Sequence, residues 1–369
     1  MKTLAIIGST GSIGKSALKV YNNNKKNFKL VSLAANTNLI KLKKQYLKFK
    51  PKNIFLIKNN GTQKIENKNY FTTKDIFLKK NKKIDYVISG VSGYDAIKIN
   101  FELTKVSKKL LIANKETIVC GGKVFLDFAK KNKCEILPID SEHHCIDLFF
   151  KSFKLKKDIK KIYLTASGGP FLNKKIKYDE KLNKVIDHPN WKMGKKISVD
   201  SSTFANKVLE LFEAKNLFNL PYSKLGIKIE SKSNTHAIVC LKNNIIIPII
   251  HYPSMRIPIA NCLDLNDNLK INLNRFSSVY YDVNIRKFPL VKLGFYILKY
   301  CSMAGFIIFT VLNERLVEKY LKKEIKYGEI VDKLVKLFKH NVLLRKSKKK
   351  IKNIKDIFDT IKYAKDVKL

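Results

Sequence analysis

Apolar residues along the first half of the chain fall into short runs separated by stretches of helical periodicity. Residues 3–7, 30–35, 53–57, 86–89 and 110–113 each read as a buried strand. Between them the apolar positions sit at helical spacing, as at Ala17, Leu18 and Val20 within residues 13–21. This alternation predicts an α/β fold with a mostly parallel sheet, whose ligands lie beyond the carboxyl ends of the strands. Residues 136–139 and 162–164 read as further strands, and the run 300–312 as one buried helix. No stretch approaches the roughly 18 uncharged apolar residues of a membrane span, and the chain enters its first strand too early for a cleavable leader. No internal repeat is visible.

The polar residues at the strand ends carry the chemistry. Residues 8–14 read GSTGSIG between a strand and a helix, where glycines let the backbone turn tightly and bring amides near Thr10, Gly11, Ser12 and Ile13 toward a pyrophosphate. The spacing is GxxGxxG, so the signal is moderate. After the second strand, Asn36, Thr37 and Asn38 stand where an NAD site usually carries a carboxylate. The missing acid leans toward NADP, with Lys41 near the 2'-phosphate.

Two later strand ends are acidic. Residues 111–113 run into Asn114, Lys115 and Glu116, and residues 136–139 into Asp140, Ser141 and Glu142. In an extended segment Asp140 and Glu142 point the same way, as hard oxygen ligands for magnesium or manganese. With Glu210 they predict an open, catalytic type of metal site. His143 and His144 invite a zinc reading, but without matching thiol or histidine spacing they read better as satisfied or exposed side chains.

The segment 188–210, HPNWKMGKKISVDSSTFANKVLE, combines an anion site with a metal ligand. Ser201, Ser202 and Thr203 are good N-cap types for a following helix, whose free amides would attract phosphate. Asn206 and Lys207 precede Glu210 by four and three residues, so the three side chains share one helical surface. A plain surface Lys207 to Glu210 pair is the bland alternative. The turn TASGGPF at 165–171 adds Ser167, a donor to an anion or a shaper of the turn.

Bulk composition changes little. The length of 369 residues suggests two or three domains, and 45% hydrophobic residues are enough for a sizeable core. A formal net charge of +44 ordinarily raises nucleic acid or an anionic membrane as partner. The kind of basic residue argues against both. Only Arg256, Arg275, Arg286, Arg315 and Arg345 are arginines, so 69 of the 74 basic residues are lysines, without the forked donors that read bases. Lysine, asparagine, isoleucine, phenylalanine and tyrosine share A+T-rich codons, so the charge reads as genomic bias. The six cysteines lack CxxC spacing, which fits a reducing, cytoplasmic setting with no zinc site or disulfide framework.

Taken together, the motifs resemble the 1-deoxy-D-xylulose 5-phosphate reductoisomerase family over nearly the full length. GSTGSIG, ANKE at 113–116, PIDSEH at 138–143, TASGGPF, HPNWKMGKKISVDS and NKVLE fall in the family's order and approximate spacing. The resemblance implies an NADPH-dependent, divalent-metal-dependent rearrangement and reduction of 1-deoxy-D-xylulose 5-phosphate to 2-C-methyl-D-erythritol 4-phosphate, in non-mevalonate isoprenoid synthesis. It implies that Thr10, Gly11, Ser12, Ile13, Asn36, Asn114, Glu116 and Gly194 hold the cofactor. Asp140, Glu142 and Glu210 would hold magnesium, manganese or cobalt. Ser141, Ser167, His188, Trp191, Ser201, Asn206 and Lys207 would contact the phosphorylated sugar, with Glu142 and Glu210 beside it. Lys115 would lie between nicotinamide and substrate, and Lys115, Glu142 and His188 would be catalytic. His188, Trp191 and Met193 match a flap that closes over the substrate.

The same resemblance implies a Rossmann-like NADPH-binding domain (1–139), a central α/β catalytic and dimerisation domain (140–264), a linker (265–287) and a C-terminal helical domain (288–369) of a cytoplasmic homodimer with no nucleic-acid or membrane partner. Departures gather after Gly226, where the family's HPQS run is replaced by Glu230, Ser231, Lys232 and Ser233, while His236, Met255, Arg256, Pro258, Ile259 and Ala260 are kept. Two alternatives remain: another metal-assisted NAD(P) dehydrogenase of a phosphorylated carbonyl compound, and a non-catalytic basic scaffold that binds nucleic acid.

Overall fold

The computed structural model describes residues 1–58, 72–79, 82–153, 155–188, 190–191, 194–265 and 271–369. Chain contacts divide it into two units. The first comprises Met1–Asn114, Phe125–His144 and Ser254–Lys270, and the second Lys115–Val124, Cys145–Pro253 and Ile271–Leu369.

In the first half, strands and helices alternate as β1 (Lys2–Ile7), α1 (Ser12–Asn23), β2 (Phe28–Ala35), α2 (Leu39–Phe49), β3 (Asn53–Leu56), α3 (Lys74–Leu78), β4 (Ile84–Ser89), α4 (Ala96–Val106), β5 (Ser107–Ile112), α5 (Lys115–Lys131), β6 (Glu135–Pro138) and α6 (Ser141–Ser152). The sheet order is β3-β2-β1-β4-β5-β6 and every pairing is parallel. This is the doubly wound Rossmann order, with its crossover point between β1 and β4. The strands are apolar because both faces are covered: Leu4, Ile6, Leu33, Ile54 and Ile88 are fully buried. Much later in the chain α10 (Arg256–Cys262) returns to this core, burying Ile259 and Ala260 beside Ala17 and Leu18 of α1.

The second unit is built on β7 (Ile159–Ala166), α7 (Leu182–Ile186), α8 (Lys195–Ser202), α9 (Ala205–Phe218), β8 (Leu225–Ile229), β9 (Thr235–Leu241) and β10 (Ile246–Ile250). Its sheet order is β10-β9-β7-β8, with β8 parallel to β7 and the other two pairings antiparallel. The chain closes with α11 (Pro289–Tyr300), α12 (Met303–Leu321), α13 (Tyr327–Leu337), α14 (Asn341–Ser347) and α15 (Ile354–Asp366). Phe212 of α9 stacks on Phe306 of α12, ring centroids 4.3 Å apart, which packs the C-terminal helices against α9.

The α/β architecture and the helical C-terminal region match the sequence reading, and the buried helix expected over 300–312 forms as α12, but it starts at Met303 rather than Tyr300. α11 stops at Tyr300, Cys301 is extended, and the Ser302 hydroxyl caps α12 by accepting the Ala304 amide at 3.1 Å. The amide and hydroxyl of Ser302 also bind the Ser347 carbonyl. A capping serine with a tertiary partner outweighs apolar continuity.

Candidate active site

The glycine turn leaves β1 at the crossover point. Gly8 has φ +84°, and a Cβ there would lie 2.7 Å from the backbone carbon of Gly90, at the end of the neighbouring β4. Only glycine permits that approach. Gly11 stands at the N-cap of α1 and brings no side-chain cap, so the first amides of the helix are not taken by one. Thr10 and Ile13 are half-buried, and Gly11 and Ser12 are exposed. Asn36 and Lys41 are exposed at and after the end of β2, while Asn38 caps α2 by accepting the Lys41 amide at 2.9 Å. Asn114, at the end of β5, is buried and donates to the Gly93 carbonyl at 3.2 Å.

Asp140, Ser141 and Glu142 lie in the same unit, in a conformation the sequence reading missed. The segment is not extended: Asp140 precedes α6, its carbonyl accepts the His144 amide at 2.8 Å, and Ser141 and Glu142 form the first turn. Asp140 and Glu142 oxygens nevertheless come within 4.8 Å of each other, because a helical start folds their side chains together. Ser141 Oγ donates to Glu142 Oε2 at 2.6 Å. His143 is fully buried with Nδ1 2.9 Å from Asp140 Oδ1, and His144 meets Cys262 and Asn261. Both histidines are satisfied side chains.

The second unit gathers the anion-binding candidates. Ser167 follows β7, and Gly168 and Gly169 then turn the chain with φ of +87° and +66°. A Cβ on Gly169 would sit 3.1 Å from the Ser201 carbonyl oxygen, so the glycine brings the Ser167 turn against Ser201. Ser201 and Ser202 are not N-caps as expected. They form the last turn of α8, and α9 begins at Ala205 behind Phe204, which adopts φ +63°. Burial decides this: Phe204 is 2% exposed and packs on Phe288 at 4.1 Å, while Thr203 Oγ1 accepts the Ala205 amide at 3.3 Å. The core placement of an aromatic ring overrides the local capping preference of the serines.

On α9 the expected common face is present, but it is buried. Asn206 Nδ2 donates to Glu210 Oε1 at 2.6 Å, and the Lys207 ammonium meets both Glu210 and the Thr165 carbonyl. Lys115, the first residue of α5, adds its ammonium 3.4 Å from Glu210 Oε1. Glu210 is 1% exposed and Lys207 5%, so the alternative of a solvated surface pair falls. A buried carboxylate flanked by two ammonium groups and an amide is a mutually compensated charge cluster, not a solvated face.

His188 lies beside Ser167, its Nε2 3.0 Å from the serine Oγ. Its Nδ1 accepts the amides of Asn190 and Trp191 at 3.2 and 3.0 Å, which places the ring proton on Nε2. Burial pushes the imidazole pKa down to about 4. Ser167 Oγ therefore accepts from His188 and from the Gly169 amide at 3.2 Å, so neither contact uses its own hydrogen. Trp191 sets its ring edge-on to His236, centroids 6.3 Å apart. Met193 lies outside the described residues. Gly194 is the exposed N-cap of α8, and an added Cβ there would meet nothing within 4 Å.

Sequence reasoning missed Lys196 and Asp200. The Lys196 ammonium bridges Glu116 Oε1 at 2.9 Å and Asp200 Oδ2 at 2.8 Å, and Asn313 Nδ2 donates to Asp200 Oδ1 at 2.8 Å. Burial alone would lower the lysine pKa, but Asp200 and Glu116 outweigh it and hold it above its ordinary value. Burial would raise the Glu116 pKa, and Lys196 reverses that. The i,i+4 spacing of Lys196 and Asp200 was legible; the partner 80 residues away was not.

Family models match the chain in three stretches: 1-deoxy-D-xylulose 5-phosphate reductoisomerase over residues 4–122, the C-terminal domain of that enzyme over 136–218, and a further DXP reductoisomerase C-terminal domain over 250–367. The 1-deoxy-D-xylulose 5-phosphate reductoisomerase of Pelagibacter ubique (strain HTCC1062) is 37% identical over 357 residues, 91% of either chain. The chain belongs to the 1-deoxy-D-xylulose 5-phosphate reductoisomerase family. A member from Francisella tularensis subsp. holarctica (strain LVS) is 36% identical over 348 residues, 89% of each chain. Among solved structures, a DOX-P reductoisomerase in complex with NADPH, fosmidomycin and magnesium superposes with a TM-score of 0.89 at 27% identity, covering 99% of this chain and 96% of that one. The resemblance read from the six motifs is thus shown.

Proposed function

We propose that this protein converts 1-deoxy-D-xylulose 5-phosphate to 2-C-methyl-D-erythritol 4-phosphate, using NADPH and a divalent cation. The relatives bear the name of that activity across nearly the whole chain, and a structural neighbour binds NADPH and magnesium. The observation that carries the reading to this chain's own residues is the cluster of Ser167, His188, Asn206, Lys207 and Glu210. Its donors are a serine hydroxyl, an amide and an ammonium, the set that suits a phosphate monoester.

In this reading Ser167, Ser201, Asn206 and Lys207 bind the phosphate, and His188 keeps the Ser167 hydrogen directed at it. Trp191 covers the substrate and excludes water. Asp140, Glu142 and Glu210 fit a hard cation, since they offer carboxylate oxygens and the first two already converge. Bound there, the cation would supply Lewis acidity toward the substrate's carbonyl and hydroxyl oxygens. Ser141 holds the Glu142 carboxylate in place through its short hydrogen bond. Lys115 has its ammonium on Glu210 and is the candidate to hold or pass a proton beside the reacting carbons. The turn at Thr10, Gly11, Ser12 and Ile13 binds cofactor phosphates, with Asn36 near the ribose and Asn114, Glu116 and Gly194 toward the nicotinamide end.

The reading includes a cytoplasmic homodimer. For the subunit contact it takes edge strand β10, whose Ile246 is 63% exposed and Ile250 37%. Among the described residues no helix is long and apolar enough to cross a membrane. The deciding experiment follows NADPH oxidation by the purified protein with 1-deoxy-D-xylulose 5-phosphate, in magnesium, manganese or chelator. Metal-dependent turnover supports the function; a folded protein that binds NADPH and leaves this substrate untouched refutes it.

A further inference from the structure

One side-chain amide ties down the segment that carries His188 and Trp191. Asn190 Nδ2 donates to the Ser231 carbonyl at 2.6 Å and to Ser233 Oγ at 2.9 Å. The backbone amide of the same asparagine binds His188 Nδ1 at 3.2 Å, so whatever fixes Asn190 also bears on the imidazole. Trp191 leans on the same region through His236.

The receiving turn is held by a buried carboxylate. It follows β8, and the Glu230 amide donates to the Ala166 carbonyl at 2.8 Å, one residue before Ser167. Glu230 is 1% exposed. Its carboxylate accepts the amides of Lys232, Asn234 and Thr235 at 2.9, 2.7 and 3.1 Å. Charge-assisted bonds of this kind are stronger than neutral ones and compensate burial of the charge. They also oppose the strain at Ser233, whose φ of +57° is unfavourable for a residue with a Cβ. The turn so formed presents both acceptors to Asn190.

We propose that Asn190 and Glu230 are positioning residues for the reaction: Glu230 holds the 230–235 turn in the conformation that receives Asn190, and Asn190 thereby sets His188 and Trp191 against the substrate. The inference rests on the proposed function only for what His188 and Trp191 face. The tether itself is independent of it.

Trp191 is the single tryptophan of the chain, so intrinsic fluorescence reports on this segment without any substrate. The test compares the full-length wild type with Asn190→Asp, which cannot donate to two acceptors, and with Glu230→Gln. Melting temperature serves as the check on folding. In the folded variants, Trp191 emission should move to longer wavelength and acrylamide quenching should rise. KM should increase by a larger factor than kcat falls. Unchanged emission and quenching in both variants would overturn the tether, and shifted emission with unchanged KM and kcat would overturn its positioning role. A wild type that turns over no substrate sinks the proposed function instead, and a fluorescence shift would still support the tether.

Discussion

His188 approaches Ser167 with Nε2 3.0 Å from the hydroxyl, while two backbone amides occupy its Nδ1. The ring is therefore a neutral donor whose orientation is fixed from behind, and the serine hydrogen is not used in that contact.

This arrangement has a pH signature. Burial lowers the folded-state pKa of His188 from 6.5 to about 4, so the unfolded chain binds the extra proton more readily. The stabilisation is fully present above the unfolded value and is lost as pH falls from about 6.5 toward 4. NMR titration of the imidazole protons in the ligand-free protein, assigned with His188→Asn, should give a midpoint near 4. A midpoint at the ordinary histidine value would contradict the assigned tautomer and burial.

Lys196→Met should be among the costlier substitutions outside the hydrophobic core. It leaves Glu116 and Asp200, 7% and 1% exposed, without the cation that compensates both. Breaking such a buried group typically costs about 3 to 5 kcal/mol. Urea unfolding should show a midpoint shift of that size. A shift below about 1 kcal/mol, the range of a solvated pair, would mean the carboxylates find other partners.

Glu210→Gln keeps the oxygen that accepts from Asn206 but removes the charge facing Lys115 and Lys207. Magnesium-dependent turnover should vanish while NADPH binding, followed by cofactor fluorescence, stays near wild type. Full activity in this variant would remove Glu210 from the metal site.

Lys207→Ala should act mainly on substrate affinity, weakening it by about 1 to 3 kcal/mol for a lost charge-assisted phosphate contact. The Michaelis constant then rises roughly five- to 150-fold. An unchanged value would mean that Lys207 serves only to balance Glu210 in the folded protein.

Salt should stabilise the molecule. At a formal net charge of +44, self-repulsion extends over the whole surface and is shortened by screening. Melting temperature should climb as sodium chloride is raised to moderate concentration, and a flat response would show that the lysines are already locally balanced.

Local and repeating features were legible in the order of residues alone. Strand and helix alternation, the glycine turn, the strand-end polar residues and the i,i+3 and i,i+4 relations of Asn206, Lys207 and Glu210 all follow from short-range periodicity. Family membership was legible too, because six motifs in order need no three-dimensional knowledge. Which local preference prevailed was set by the folded packing. Ser201 and Ser202 lost the N-cap to a buried Phe204, Ser302 split the apolar run, and Ser141 and Glu142, directly after Asp140, opened a helix rather than continuing an extended strand end. It alone paired Glu116 with Lys196 and Asn190 with the Glu230 turn. The reason is physical: periodicity is written into neighbouring residues, whereas burial and long-range hydrogen bonds depend on which distant surfaces meet, and those terms exceed the few tenths of a kcal/mol by which most ordinary local propensities differ.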